Sequence, residues 1–383
     1  MGCARWWWNY ALNLCNETYK ETGKGLTQIA LNKVLRELKK SEDTAWLGEC
    51  YSQVLQSTTL NLTKAFKNFF EKRSSYPRFK SYHGKQSAQY PQNCQVIDGG
   101  VKIPQIGLIK ASIHRLFEGD LKTVTITKTP TQKYYASLLF DTKQETPEVV
   151  ISGKVIGVDL GVKDFSITHD GSKISKYSNP RHLIKHEKNL ARKQAKLARK
   201  KKESKSREKA KKLVARVHER ISNARQDFLH KLSRKIVNDN QVVVVENLNV
   251  KGMVRLRSLA KAISDVGWGM FIHFLDYKLK DKGGLLVEIN RWFPSSKTCS
   301  SCLYQMGEMP LDMREWTCPS CGMHHDRDEN AAKNIRAEGI RQLSVLGTRT
   351  AAEGGDVRPK GGRKSVLRHS PMSSEAPSLY RAG

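Results

Sequence analysis

No apolar run in this chain approaches the roughly 20 residues needed to span a bilayer, and no secretory leader pattern opens it. A membrane-spanning protein is therefore not expected, and a cytoplasmic, prokaryotic location is. The start Met1-Gly2-Cys3 has the look of an acylation signal, but Trp6 stands where that signal prefers Ser or Thr. Disulfide-type spacing is missing as well: Cys3, Cys15, Cys50 and Cys94 are scattered, the usage of a reducing compartment in which such cysteines serve as packing. Acidic residues are in short supply. The 37 Asp and Glu face 67 Lys and Arg, and a net charge of +30 points to a polyanionic partner, nucleic acid before membrane.

What remains is enough for folded domains: 383 residues with 38% hydrophobic content allow two or three cores. Residues 1–75 read as a helical bundle, with apolar positions recurring at three and four, as in Leu31, Val34, Leu35 and Leu38. Trp6, Trp7 and Trp8 cannot all point into one core on a helix, so at least one ring is left for solvent, a base or another domain, with packing favoured over base stacking. Residues 76–150 turn to short alternating runs, Thr123 to Lys128 and Tyr134 to Phe140, and read as a small β domain.

From residue 151 the order becomes strand, strand, helices, strand, helix, strand, cysteine insert, helix, which implies an α/β domain on a mixed sheet. Val155 to Gly161, Asp164 to His169 and a turn at Asp170-Gly171 open it as a hairpin. Arg181 to Arg225 holds eighteen Lys and Arg against four Glu, with Ile184, Leu190, Leu197, Leu213, Val217 and Ile221 near heptad spacing. Two basic amphipathic helices, within 181–236 and broken near Glu203 to Ser206, would meet phosphates through Arg192, Lys193, Lys196, Arg199 and Lys200. Val242 to Glu246 suits a strand buried on both faces, Trp268 to Lys280 a helix, and Leu285 to Ile289 a further strand. Residues 341–383, rich in Gly, Arg and Ser, are expected to be disordered.

Two chemistries stand out in the last third. Cys299/Cys302 and Cys318/Cys321, two CxxC pairs fifteen residues apart, have the spacing of a tetrahedral zinc site in residues 292–325. With four thiols available, His324 and His325 read as bystanders. The second is acidic. Asp159 interrupts an apolar strand, Glu246 ends the valine strand, and Asp326 and Asp328 stand at the start of a helix over 326–340. A charged carboxylate in a core strand costs several kcal/mol unless it is paired, so two such interruptions call for a counter-ion or a metal. Carboxylates brought together from different elements are what two-metal phosphodiester hydrolysis uses, with Mg²⁺ or Mn²⁺. On spacing alone, Asp326 and Asp328 compete for the third position. Arg327 is a candidate phosphate contact and Asn330 a supporting donor.

Gly157-Val-Asp159-Leu-Gly161, Val245-Glu246-Asn-Leu248, Pro294-Ser-Ser-Lys-Thr-Cys299-Ser-Ser-Cys302, Cys318-Pro-Ser-Cys321-Gly and Asp326-Arg-Asp328-Glu-Asn-Ala-Ala-Lys-Asn334 together resemble the TnpB family. These are transposon-encoded RNA-guided DNA endonucleases related to type V CRISPR effectors. Tyr76-Pro-Arg-Phe-Lys80 and Gly2-Cys-Ala-Arg-Trp6 extend the resemblance upstream. It implies an RNase H-like (RuvC) nuclease domain with the zinc ribbon inserted before its last acidic helix, a helical recognition lobe and a wedge-like β domain. It also implies Asp159, Glu246 and Asp328 as catalytic metal ligands, with Asp328 preferred over Asp326, which becomes a supporting residue. The implied partners are a guide RNA encoded near the transposon end, a double-stranded target DNA and a partner transposase. Guide pairing would read the target, and Arg78, Lys80, Lys85, Gln86 and Ser87 match the stretch that touches a short adjacent duplex motif. Family members usually carry a further segment with the first wedge strand before Gly2, so the wedge is expected to be one strand short. Leu303 stands where a Gly commonly follows the first cysteine pair. Two other functions fit the same residues: an RNA-guided binder without nuclease activity, and a DNA transposase on an RNase H-like fold.

Overall fold

The computed structural model describes residues 1–352 except 116, 117, 146, 150–152, 256 and 311. The chain divides into two compact units, one ending at Gln144 and the other starting at Glu145.

The first unit opens with three helices, α1 (Gly2–Thr22), α2 (Gln28–Leu38) and α3 (Ser52–Phe70), with a 3₁₀ turn at Glu42–Glu49. Gly23 ends α1 in the left-handed conformation at φ 68°, where a side chain would be strained. The Thr27 side chain accepts from the Ala30 N–H and starts α2. Trp7, Leu12, Leu31, Leu47, Leu55 and Leu62 form the bundle core, and the Trp7 indole N–H donates to Thr59 Oγ1 at 2.9 Å. As favoured from the sequence, the tryptophans are used in packing, and not all of them in the one core. Trp6 is half-buried, stacked on Tyr10 and edge-on to Trp46, and Trp8 is buried with its N–H on the Arg78 carbonyl. Neighbouring aromatics supply a second contact surface that spacing alone does not reveal.

Six strands follow: β1 (Gln86–Tyr90), β2 (Gln95–Ile97), β3 (Gly100–Ile103), β4 (Gly107–Lys110), β5 (Asp120–Lys128) and β6 (Tyr134–Asp141). They pair antiparallel as β1-β5-β6 and β2-β3-β4. β1 lies in a stretch whose polarity hid it, because only Ala88 and Tyr90 are buried.

The second unit is built on a five-stranded sheet ordered β11-β10-β7-β8-β9. β7 (Val155–Leu160), β8 (Asp164–His169) and β9 (Ile174–Ser178) pair antiparallel in succession, whereas β10 (Val242–Glu246) lies parallel to both β7 and β11 (Leu285–Ile289). Between β9 and β10 run the basic helices α4 (His182–Ala198) and α5 (Lys205–Asp239), and between β10 and β11 run α6 (Val250–Met253), α7 (Arg257–Val266) and α8 (Trp268–Lys280). Val243 and Val245 face α5 and α8, while Val242 and Val244 face the final helix, so the valine strand is buried on both sides. β9, α6 and α7 add to the order read from the sequence. In the basic pair Leu190, Val217 and Ile221 pack together, whereas Ile184 is exposed.

A two-stranded knuckle, β12 (Glu315–Thr317) and β13 (His324–Asp326), leads into α9 (Arg327–Ala352). α9 continues past 340 into the stretch expected to be disordered, with Leu343 still buried against the sheet. Residues 353–383, which carry the rest of that expectation, lie outside the described residues. Among the described residues no helix is long and apolar enough to cross a membrane.

Candidate active site and metal centre

Helix α9 crosses the sheet at backbone contact. A Cβ on Gly157 would stand 2.4 Å from the Ala332 carbonyl oxygen, and one on Gly339 would stand 2.3 Å from a Val244 methyl. That crossing brings Asp159 of β7 and Asp328 in the first turn of α9 to the same edge of the domain, where β10 ends in Glu246. All three carboxylates are half-buried. Burial is the main force on Asp159, followed by the charges of Glu246 and Asp328; together they push its carboxyl from 3.8 to about 8. Burial also raises Glu246, offset in part by the Ser295 hydroxyl, which donates to its carboxylate. Such crowded, desolvated acids hold protons or cations, and divalent ions bound by oxygen ligands fit this donor set.

Asp326 has a different task. Its Oδ1 accepts the N–H groups of Asp328 and Glu329, each at 3.0 Å, capping α9, and Lys176 Nζ reaches its other oxygen at 3.0 Å and Glu329 at 2.9 Å. Burial opposes ionisation of Asp326, but these hydrogen bonds and the Lys176 charge prevail and lower its pKa. Asp328 is left to face Asp159, with Arg314 Nη1 3.7 Å away. Arg327 sits among protein carbonyls: its Nη1 donates to the oxygens of Pro310 at 3.0 Å and Met313 at 3.4 Å, the reverse of an open phosphate contact.

The four cysteines draw together to within 4.8 Å of one another, the tight ligand cluster among the described residues. Cys299 and Cys321 Sγ are 3.7 Å apart, Cys302 and Cys318 3.6 Å. A tetrahedron with Zn–S bonds of about 2.3 Å has edges of about 3.8 Å, so the sulfurs already stand at zinc-site spacing. His325, expected to be a bystander, is buried with Nε2 3.0 Å from Cys299 Sγ. Burial resists ionisation of Cys299, but the N–H groups of Cys302 and Ser301 and the His325 ring outweigh it and bring the thiol to about 5. Leu303, in the place of the usual Gly, is held at φ 64°.

The knuckle is bolted to α9. Asn330 Oδ1 accepts the Ser300 N–H at 3.0 Å, and its Nδ2 donates to the Thr298 carbonyl at 2.7 Å. Asn334 Nδ2 reaches the carbonyls of Ser295 at 2.7 Å and Thr298 at 2.6 Å. Ser295 and Asn334 are the supporting residues that sequence reasoning missed; both stand inside quoted motifs, where their roles have no signature in spacing.

Of the basic candidates, Arg192, Lys196, Arg199 and Lys200 are exposed on or just after α4, and Lys193 is half-buried there. In the first unit Lys80 Nζ lies 3.7 Å over the Trp8 ring, and burial lowers its pKa. Gln86 is occupied, donating to the Tyr82 carbonyl at 2.9 Å and accepting from Arg5 at 3.0 Å. Arg78, Lys85 and Ser87 are exposed.

Three family profiles match in chain order: a helix-turn-helix domain over residues 1–24, OrfB_IS605, described as "Probable transposase", over 138–257, and a Cas12f1-like TNB domain over 268–335. A Streptomyces pristinaespiralis protein provisionally named an RNA-guided DNA endonuclease is 38% identical over 95% of this chain and 90% of its own length. InsQ of Escherichia coli K12, named in the same provisional way, is 31% identical over 90% of this chain and 88% of its own length. Among solved structures, the protein of a cryo-EM Cas12f1-sgRNA-target DNA complex shares the fold at TM-score 0.52 and 17% identity, over 87% of this chain and 80% of that one.

Proposed function

Because the chain belongs to the TnpB family, the OrfB_IS605 lineage, we propose that it is an RNA-guided, metal-dependent endonuclease that cuts DNA complementary to a guide RNA. The observation that carries this reading is the convergence of Asp159, Glu246 and Asp328 from three separate elements on one edge of the domain, close enough for the charges of the latter two to act on the Asp159 carboxyl. Asp159, Glu246 and Asp328 would hold Mg²⁺ or Mn²⁺, which when bound supplies an ionised water and neutralises charge on the leaving oxygen. The chain's own residues do the remaining work. Ser295 orients Glu246, the Asp326 cap fixes the first turn of α9, and the asparagine pair ties that turn to a zinc-closed knuckle. In an RNase H-like domain of this kind, specificity comes from base pairing, and the exposed cations of α4 would track the nucleic-acid backbone. The loop from Lys80 to Ser87 would meet the duplex beside the target.

The test is reconstitution with the RNA that copurifies, sequenced to reveal the guide. With Mg²⁺ and a matched duplex the complex should cut, and Asp159→Ala should bind without cutting. Normal cutting by Asp159→Ala overturns the assignment. The transposase named in the matching profile is the second reading; it predicts strand transfer that needs no RNA.

A further inference from the structure

The turn that carries Ser295 to Glu246 also carries Trp292, and nothing in the nuclease reading accounts for it. Trp292 is 83% exposed, the most open of the large apolar side chains among the described residues. Its exposure does not come from a loose segment. The Trp292 N–H donates to Asn290 Oδ1 at 3.0 Å, the Phe293 N–H to the Asn290 carbonyl at 3.0 Å, and the Ser295 N–H to the Phe293 carbonyl at 2.8 Å. Arg291 Nη2 donates to Asn247 Oδ1 at 3.1 Å, and the Asn247 N–H donates to the Ile289 carbonyl at 3.2 Å. Phe293 packs inward against the buried face of the sheet. An indole is thus held in water on a braced turn, one residue from a fixed guanidinium and three residues before the hydroxyl that binds Glu246.

We propose that Trp292 is a stacking platform for an unpaired nucleobase of the DNA strand being cut, holding that strand against the acids; the proposal rests on the nuclease reading. An indole offers a flat π-face to any base, so the contact tolerates sequence, as a guide-directed enzyme requires. Arg291 places positive charge on the same turn, which suits a phosphate-bearing occupant better than an apolar peptide. Because guide pairing supplies most of the binding, the stack acts on strand placement and therefore on the cutting rate more than on affinity.

The RNA complex with Mg²⁺ and matched duplex should show Trp292→Ala binding DNA as wild type does but cutting on the order of tenfold more slowly, the scale of one lost base stack. Trp292→Phe should keep most of the rate. An abasic site at the stacked position should slow the wild type by a similar factor and leave Trp292→Ala unaffected. 2-Aminopurine stepped along the strand should change fluorescence at that position with wild type and with Asp159→Ala, and not with Trp292→Ala. Wild-type cutting by Trp292→Ala, or equal sensitivity of both proteins to every abasic site, overturns the proposal in favour of a protein-facing or idle tryptophan. If no cutting is seen with any variant, the nuclease reading fails, while the 2-aminopurine signal still decides the stack.

Discussion

Gly157 and Ala332 meet at backbone distance: a methyl group on the strand glycine would lie 2.4 Å from the helix carbonyl and 2.6 Å from the Arg336 amide nitrogen. Two residues along β7 lies Asp159, and four residues before Ala332 in α9 lies Asp328. The close crossing of strand and helix therefore sets how far apart two acids of the candidate site stand. Arg336 closes the same contact from the side, its Nε donating to the Val155 carbonyl at 2.8 Å.

Gly157→Ala should consequently be a site variant as well as a stability variant. Both clashing atoms are backbone and cannot rotate away, so α9 must lift, at the cost of about 1–3 kcal/mol that overpacking usually carries. We expect a lower melting temperature, retained zinc and a loss of cutting larger than the unfolded fraction explains. Normal cutting by folded Gly157→Ala would show that the spacing of Asp159 and Asp328 is not critical.

Ser295→Ala removes the donor that holds Glu246 down against the burial that raises it. The Glu246 carboxyl should rise further, and the acid limb of the pH–rate profile should move to higher pH. A hydrogen bond to a charged group is worth about 1.5–3 kcal/mol, so the rate near pH 7 should fall on the order of tenfold and partly recover at alkaline pH. A uniform fall at every pH would instead assign Ser295 to the knuckle.

Asp159 couples stability to pH in the absence of added divalent ions. Its carboxyl lies at about 8 in the folded chain against 3.8 for the ordinary group, so the folded state holds a proton that the unfolded chain has released. That contribution is complete below about pH 4 and is lost as pH rises through about 8. The melting temperature should fall across this window, Asp159→Asn should flatten the fall, and Mg²⁺ should abolish it by taking the place of the proton.

A zinc ion held by the four cysteines should matter to the acids through the contacts that join the knuckle to α9. Asn330 and Asn334 tie α9 to the Ser295 and Thr298 carbonyls, and Arg327 ties it to Pro310 and Met313. Cys302→Ser, or stripping the zinc, should therefore lower cutting more than tenfold at saturating Mg²⁺. Hydrogen exchange should speed up in residues 295–334 and stay unchanged in α1 to α3, which have their own core.

How much of this was legible in the chain depended on whether a residue broke a local pattern. Asp159 and Glu246 break buried strands, and the cysteines carry their spacing openly, so both candidate sites stood out in the sequence. Ser295 acts through a hydroxyl on the Glu246 carboxylate, and Asn330 and Asn334 through carbonyls that only the folded knuckle presents; of these Asn330 alone stood out, as a supporting donor. His325 stood beside a cysteine pair without a ligand's spacing, and its contact with Cys299 comes from the β12–β13 pairing. β9 is five residues long on the sheet edge, too short and too polar to stand out between a turn and a basic helix. Trp292 escaped because one exposed aromatic has no periodicity to belong to.

The basic helices carry the last prediction. Lys196, Arg199 and Lys200 project from the end of α4 into solvent, and Arg207 pins the turn below them by donating to the Leu197 carbonyl at 2.9 Å and the Lys200 carbonyl at 3.0 Å. Cations on a braced turn meet a phosphate backbone with little ordering cost, and each phosphate contact to single-stranded nucleic acid adds about 0.7 to the slope of log affinity against log salt. Changing all three to Gln should lower that slope for guide RNA by about 2 and weaken binding at low salt, leaving the melting temperature within a degree or so of wild type, because none of the three is buried. An unchanged slope would move the RNA contact elsewhere, to the exposed face of α5 first, since its Lys205 to Arg225 segment shares the same excess of positive charge.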